Sequence, residues 1–448
     1  MPLRNLLWVL CVVLISFVCL QGAPGAGRDD ENYEFYRVLV DALDHIEKSY
    51  VEPVDRKKLL EGALQGMIKN LDQYSAYIPP EDFKQFEKTT QGHFGGIGIL
   101  INVDPRTRHL TVVSPLVGTP AFRAGIRAGD RIIEIEGEST DDIALPDAVA
   151  KLMGKEGTSV TITIVHDGEA EPHNITLTRE EIKIESVLGD SRKPDDTWQW
   201  IIDQENKIAY IRIYTFISST AADLDKAIRQ AKEEGMTGLV LDLRTNPGGL
   251  LTSAIEVSDM LLKEGRIVST QGRNTRERPW DASGDGTHTD FPMAVLVNHF
   301  SASASEILAA ALQDNGRAKV VGERTWGKGS VQNVIELEGG TSALKLTTAH
   351  YYRPNGHNIH KLEKAKDTDE WGVMPDDGFK VELTPPEMQQ FHIWRAKRDV
   401  LKPKSNGSTE SKPDEKASTD PFVDKQLEKA LEYVRGQVKE KQKAVSQK

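Results

Sequence analysis

Beyond residue 20 the chain has no cysteine: its two, Cys11 and Cys19, both stand near the start. That excludes a disulfide framework and a thiol nucleophile for everything downstream. The chain also lacks a long Lys/Arg run, and its net charge of −12 gives no reason to expect a nucleic-acid partner. No internal repeat is visible. Long apolar runs are missing as well, with one near-exception. Leu6 to Leu20 is uncharged and apolar, preceded by Arg4 and followed by small residues around Gly22–Gly27. That is the pattern of a secretory leader. The run is shorter than the roughly 20 residues of a membrane-spanning helix. Residues 1–27 are therefore expected to be a signal peptide or, left uncleaved, a membrane anchor, with the remainder secreted or periplasmic. The "SFV" before Cys19 is poorly suited to lipid attachment.

What is present is a chain of 448 residues, 38% hydrophobic and 28% charged, able to bury a core. On length alone it holds roughly two to four domains. Residues 28–91 repeat apolar positions at helical spacing, through Phe35, Val38, Leu39, Leu43 and Ile46, then Leu59, Leu60, Leu64 and Met67. Residues 92–181 are β-rich, with "GHFGGIGILINV", "DRIIEIEG" and "SVTITIV" and one helix, "LPDAVAKLMG", beside a groove. Residues 182–386 alternate buried strands with helices ("KIAYIRI", "GLVLDLR", "MAVLVN"), which predicts an α/β core. Residues 387–448 become polar. The stretch 402–420 is low-complexity and expected to be disordered, and an amphipathic helix follows it. The amphipathic helices at 33–50 and 423–441 have two readings, self-association or packing onto the core.

"SASASE" (301–306) sits between the strand-like "MAVLV" and the helix-like "ILAAAL". Ser303 with Glu306 fits an S-x-x-E capping box, the plainer reading of that pattern. The same position puts a hydroxyl beside unpaired amides and the positive end of a helix. Both favour the anion formed when a carbonyl is attacked. A nucleophilic serine needs a base. No histidine lies in a recognisable motif, and His299, at a strand end, would tend to point away. The alternative is Lys328 in "ERTWGKGSVQ", where Gly327 and Gly329 let backbone approach closely. A lysine is a base only when neutral. Moving it from about 10.4 to about 7–8 means disfavouring the cation by roughly 3–4 kcal/mol, which burial can do. Otherwise it is a solvated loop lysine. The turn Asn246-Pro247-Gly248-Gly249 is either a plain turn or the source of an oxyanion donor, typically worth about 2.7–4 kcal/mol.

"DLRTNPGG", "VNHFSASASEILAAALQDNGRAKVVGERTWGKGSVQ" and "LKLTTAHYY" resemble the C-terminal processing peptidases, also called tail-specific proteases. The resemblance covers roughly residues 33–385 and implies a mixed αββ-type protease core (ClpP/crotonase-like). It implies an inserted β-rich PDZ domain and helical N- and C-terminal segments. It selects the middle serine, Ser303, as nucleophile and Lys328 as base, with Gln332 holding the lysine. It assigns the oxyanion hole to the amides of Ala304 and Gly248, or Gly249 beside it. "FGGIGILI" and "SPLVGTPAFRAGIRAGDRIIEIEG" resemble the PDZ domain these proteases carry. There a Gly-rich turn, Gly95, Gly96, Ile97 and Gly98, would hold a terminal carboxylate, and the groove between strand 97–101 and helix 145–154 would take an extended peptide.

The implied activity is a serine endopeptidase that takes proteins by an exposed apolar C-terminus and needs no cofactor. A PDZ adaptor that binds tails without cutting, and an acyl-transfer enzyme for a non-peptide substrate, are the alternatives. An adaptor partner for the protease is left open. Three departures from the family pattern stand out. Trp326 replaces a usual phenylalanine, Gln73 replaces a proline in "LDQYS", and the link from Asn355 to Gly378 is long and charged. His357 and His360 in that link raise a metal question, but without a third ligand a solvated loop is expected.

Overall fold

Apolar repeats at helical spacing become helices close to where the pattern puts them: α1 (Asp29–Ser49) and α2 (Arg56–Lys69). Asp55 caps α2, accepting from the Lys57 amide at 2.9 Å. The short strand β1 (Ala76–Ile78) follows a turn in which Asp72 accepts from the amides of Tyr74 and Ser75. This computed structural model describes residues 29–399 and 422–446, apart from positions 91, 104–106, 117, 128, 167–168, 170, 286–287 and 367. The expected leader (1–27) and polar linker (402–420) lie outside the described residues. Two compact units result, Met1–Pro79 and Pro80–Lys448. In the first, several apolar side chains of α1 are exposed, Tyr36 by 68% and Val38 by 70% among them.

The larger unit starts with α3 (Pro80–Thr90), then β2 (His93–Gly96), β3 (Ile99–Val103), β4 (Leu110–Pro115), α4 (Pro120–Arg123), β5 (Arg131–Ile135), β6 (Glu138–Ser139), α5 (Leu145–Leu152), β7 (Ser159–Val165), β8 (Pro172–Thr178) and β9 (Glu180–Lys183). Strand order is β3-β4-β5-β7-β8, with β6 on β5, while β2 pairs only with β9. Every second residue of β7, Val160, Ile162 and Ile164, is buried in one core with Leu110, Ile132 and Ala148 of α5. Among the described residues, one edge of the sheet, β3, has no strand beyond it.

Next come β10 (Val187–Leu188), β11 (Ile201–Asp203), β12 (Ile208–Ile213), α6 (Thr220–Glu233), β13 (Gly238–Asp242), α7 (Leu251–Leu261), β14 (Arg266–Gly272), β15 (Thr275–Asp281), β16 (Met293–Val297), α8 (Ala304–Asp314) and β17 (Lys319–Gly322). Strands β12, β13, β16 and β17 pair in parallel, with β10 and β11 antiparallel on β12. Their apolar runs are buried on both faces, as parallel strands require. On one face Ile211, Leu241 and Val295 pack against Leu224 of α6, Val257 of α7 and Leu308 of α8. On the other, Tyr210, Val240 and Leu296 meet Leu427, Leu431 and Val434 of the last helix. Strands β18 (Ser330–Leu337) and β19 (Ser342–Tyr352) join β14 and β15 in an antiparallel sheet. Then α9 (Pro385–Asp399) and α10 (Lys425–Ser446) complete the unit. The second of the two amphipathic terminal helices, α10, thus follows the packing reading. Among the described residues no helix is long and apolar enough to cross a membrane.

Candidate active site

In a parallel sheet, loops leaving the C-terminal strand ends gather along one edge. Three of them meet here. Residues 243–250 follow β13, 298–303 follow β16, and 323–329 follow β17. Backbone bonds stitch them together: Ala302 N–H to Asn246 O (3.0 Å) and Trp326 N–H to Ser301 O (3.0 Å).

The three serines differ in what they do. Ser301 Oγ donates to Leu243 O (2.8 Å) and accepts from the Asn298 amide (3.0 Å). Ser305 Oγ donates to Asn246 O (3.0 Å). Both therefore tie the serine loop to the 243–250 loop. Ser303, 8% exposed, caps α8 with φ 56° and ψ −115°, a left-handed conformation that a side-chain-bearing residue adopts only under constraint. Thr245, on the facing loop, also has positive φ (60°). Gly248 has φ 101°, and a Cβ there would lie 2.8 Å from Ser303 Cβ and 2.9 Å from Ala304 N. The turn and the helix start are thus in backbone contact, and only glycine fits.

Ala304, the first residue of α8, has no acceptor for its amide within the helix. The Gly248 amide, by contrast, donates to Asn246 Oδ1 at 2.8 Å. Gly249 is pressed on Phe216, whose amide donates to Gly248 O (3.0 Å) and whose carbonyl accepts from Leu250 (2.8 Å). Of the expected oxyanion amides, one is at a helix start and one is engaged by its own loop.

Glu306 is fully buried and carries more than the cap expected of it. Oε2 accepts from the amides of Ser303 and Lys328, both at 2.8 Å. Oε1 accepts from Thr325 Oγ1 (2.5 Å) and the Gly327 amide (2.6 Å). One carboxylate thus holds both the serine and the lysine segments. Burial pushes it up to about 7, against those hydrogen bonds, which favour the anion. The S-x-x-E spacing signalled the residue but not this function, because three of its donors arrive from residues 325–328.

Lys328 is half-buried. Burial holds its ammonium below the ordinary lysine range, and the Lys345 cation pushes the same way, while Glu306 opposes them. Both neighbouring glycines are sterically required. A Cβ on Gly327 would lie 2.7 Å from Lys361 Cβ, and one on Gly329 would lie 2.2 Å from His360 N. Gln332 Nε2 donates to Ser330 Oγ (2.9 Å) and Thr347 Oγ1 (3.3 Å), on the strand pair that leads away from Lys328. Trp326 is half-exposed.

The link after Asn355 is not the solvated loop expected. Ile359 and Val373 are fully buried in the core. Lys361 N–H donates to Gly327 O (2.9 Å), and Val373 N–H to Thr325 Oγ1 (2.7 Å). The segment backs the lysine turn, and its charge is carried outward. His357 pairs with Glu370, whereas the His360 ring packs tilted against His350 with centroids 4.8 Å apart, so the two histidines do not converge. Among the described residues no group of three His, Cys, Asp or Glu side chains could hold a metal. His299 Nδ1 meets Glu323 Oε2 at 2.6 Å.

In the β-rich domain the expected carboxylate loop is half strand. Gly95 and Gly96 lie in β2 opposite Glu181 and Glu180. Gly95 is needed there because a Cβ would meet Gly154 O at 2.1 Å. The Ile97 side chain is buried in the core. Gly98 makes the turn, with φ 74° and its carbonyl accepting from the Leu116 amide (2.9 Å) and Thr119 Oγ1 (3.0 Å).

Residues 207–376 match the model of peptidase family S41, residues 111–165 that of a PDZ domain, and residues 24–82 that of the activating protease CtpB N-terminal domain. A carboxy-terminal-processing protease of Bartonella bacilliformis is 35% identical over 445 residues, 97% of each chain. A carboxyl-terminal-processing protease of Synechocystis sp. is 36% identical over 354 residues, 77% of this chain and 78% of its own. Among solved structures, a photosystem II D1 C-terminal processing protease aligns at 30% identity over 76% of this chain and 86% of that one, with a TM-score of 0.45.

Proposed function

This chain belongs to the C-terminal processing proteases, serine-type peptidases of family S41, and we propose that it cuts with a Ser303–Lys328 dyad after its PDZ domain has taken hold of the substrate's tail. The observation that carries the dyad is the Glu306 carboxylate, which binds the Ser303 and Lys328 amides through one oxygen. Two backbone segments anchored on one atom run side by side, which supports a shared site for hydroxyl and amine.

The neutral Lys328 amine takes the proton of the Ser303 hydroxyl as Oγ attacks the scissile carbonyl. The resulting oxyanion is met by Ala304 N–H and, once its peptide turns from Asn246, by Gly248 N–H. The C–N bond breaks, the lysine ammonium protonates the departing amine, and an ester remains on Ser303. Water then attacks that ester. Lys328 takes the water's proton and returns it to Ser303 Oγ as that oxygen leaves, which restores the hydroxyl and the neutral amine. Gln332, bonded to Ser330 and Thr347, steadies the start of β18 directly after the lysine loop and so helps to hold Lys328.

An extended tail adds to the free edge of β3, beside α5, with its carboxylate at the turn formed by Gly95, Gly96, Ile97 and Gly98. Substrates are proteins with exposed apolar C-termini. The chain is exported to the periplasm or beyond through its leader, which anchors it when retained. The exposed apolar positions of α1 support self-association through the first unit.

The test uses Ser303→Ala and an unfolded substrate with an apolar tail. The variant should bind the tail and leave it uncut, and binding should weaken when the terminal carboxylate is amidated. Cleavage by Ser303→Ala near the wild-type rate removes the dyad. Equal binding of acid and amide removes the carboxylate site.

A further inference from the structure

The buried side chains at the start of α10 belong to the same strand ends that carry the catalytic loops. Arg244, 5% exposed, follows β13 and precedes the Asn246–Gly249 turn. Its guanidinium lies between two carboxylates. Nη2 donates to Asp242 Oδ2 (2.7 Å) and to Asp424 Oδ2 (2.8 Å), and Nη1 donates to Asp424 Oδ1 (2.9 Å). Asp242 is fixed in turn by the Tyr210 hydroxyl at 2.6 Å. Gln426 Oε1 accepts from Arg244 Nη1 (3.0 Å), while its Nε2 donates to Val381 O (2.8 Å) and reaches Glu323 Oε1 (3.4 Å). Glu323 follows β17, opens the lysine loop, and holds His299 of the serine loop at 2.6 Å.

We propose that Asp424 and Gln426 are positioning residues for the catalytic loops, clamping the ends of β13 and β17 directly and the serine loop through Glu323. This inference rests on the dyad reading. The geometry fits a clamp better than a simple anchor. The helix already has its anchor in the apolar stripe Leu427, Ala430, Leu431, Val434 and Val438 against the sheet. Its first turn is capped by Asp424 Oδ1 on the Leu427 amide (3.0 Å). Docking alone requires neither a bidentate hold on Arg244 nor a bridge to Glu323. A planar guanidinium gripped at both ends has one orientation, and the backbone carrying it leads straight into the oxyanion turn. Loss of the Asp424 grip leaves Arg244 to Asp242 and the single bond from Gln426, and small shifts there move Gly248 against Ser303. Misplacement of that order costs roughly ten- to a hundredfold in rate.

The test compares full-length Asp424→Asn, Gln426→Ala and, as control, Glu428→Gln. Asparagine keeps the cap oxygen and the shape but loses half of the bidentate grip. Gln426→Ala breaks the bridge without burying a new charge. Glu428 is exposed in the same turn. The expected result is a kcat lower by about tenfold or more in the first two, with KM within about twofold. Near-ultraviolet circular dichroism should match wild type, and Glu428→Gln should be unaffected. A folded Asp424→Asn with wild-type kcat overturns the clamp. So does a loss that vanishes once rates are scaled to the folded fraction, because that is an anchor's behaviour. Ser303→Ala is assayed alongside. Cleavage by that variant defeats the dyad reading, whereas a silent Ser303→Ala beside an unimpaired Asp424→Asn defeats only the clamp.

Discussion

The backbone amides of Ser303 and Lys328 donate to the same atom, Glu306 Oε2, each at 2.8 Å. With Thr325 Oγ1 and the Gly327 amide on Oε1, every acceptor position of the carboxylate faces a donor. Glutamine at this place turns an amide NH2 against at least one N–H. Glu306→Gln should therefore lower the single-turnover acylation rate by roughly ten- to a hundredfold, with the fold intact by circular dichroism. The pH dependence has a definite sign. The folded carboxyl, raised to about 7 by burial, keeps a proton that the unfolded chain releases near its ordinary 4.5. Between those values wild-type stability falls as pH rises, by roughly 3 kcal/mol, and is level above them. Urea titrations at about pH 5 and about pH 8 should show that fall in wild type and lack it in the glutamine variant. An equal fall in both would mean that another group titrates.

Lys345 lies on β19 opposite Val334, and its charge adds to burial in holding the Lys328 ammonium down. A base acts when neutral, so activity should rise with pH as Lys328 loses its proton. Removing a like charge favours the protonated amine and raises its pKa. Lys345→Gln should move the rising limb of the kcat/KM profile to higher pH and leave the alkaline plateau unchanged. A limb that stays in place would show that the two amines are not coupled in solution.

Asn246 is fully buried with both ends of its amide engaged: Nδ2 donates to Ile213 O (2.8 Å), and Oδ1 accepts from Gly248 (2.8 Å). Aspartate would keep the acceptor but bring a negative charge to the place where the substrate oxygen becomes negative. Alanine would release the Gly248 amide and give up the bond to Ile213 O, but would bring no charge. Asn246→Asp should lose about a hundredfold in acylation rate, the scale of one oxyanion donor, and more than Asn246→Ala per folded molecule. Equal losses would reduce Asn246 to a turn-former.

The sequence made the parallel strands readable because runs such as "GLVLD" and "MAVLV" are apolar at every position, and the helices between them keep their period. The serine and lysine segments were readable as motifs at a set separation. Other features depend on partners distant in sequence. Glu306 showed as a cap, since its three further donors come from beyond β17. Segment 355–373 looked like charged loop, because two buried apolar residues among many charges leave no periodicity. Gly95 and Gly96 looked like a turn, but pairing with β9 makes them strand. The hold of Asp424 on Arg244 joins residues 180 positions apart, and neither has a local pattern that names the other.

Glycine separates the parts of the chain where backbone is crowded from those where it is not. Gly66 lies inside α2, and a Cβ added there would meet nothing within 4 Å, so alanine gains helix propensity at no steric cost. Gly66→Ala should stabilise the first unit by about 0.5–1 kcal/mol. Gly329 is the opposite case. Its Cβ would lie 2.2 Å from His360 N and 2.6 Å from His360 Cα, both backbone atoms that cannot rotate aside. Relief of that overlap pushes the lysine turn away from segment 359–361 and pulls the Lys328 amide off Glu306. Gly329→Ala should cost roughly 1–3 kcal/mol of stability. It should also depress kcat well beyond the unfolded fraction, and calorimetry on the purified variant separates the two effects. A Gly329→Ala protein with wild-type kcat would show that the turn can shift without carrying the amine out of register with Ser303.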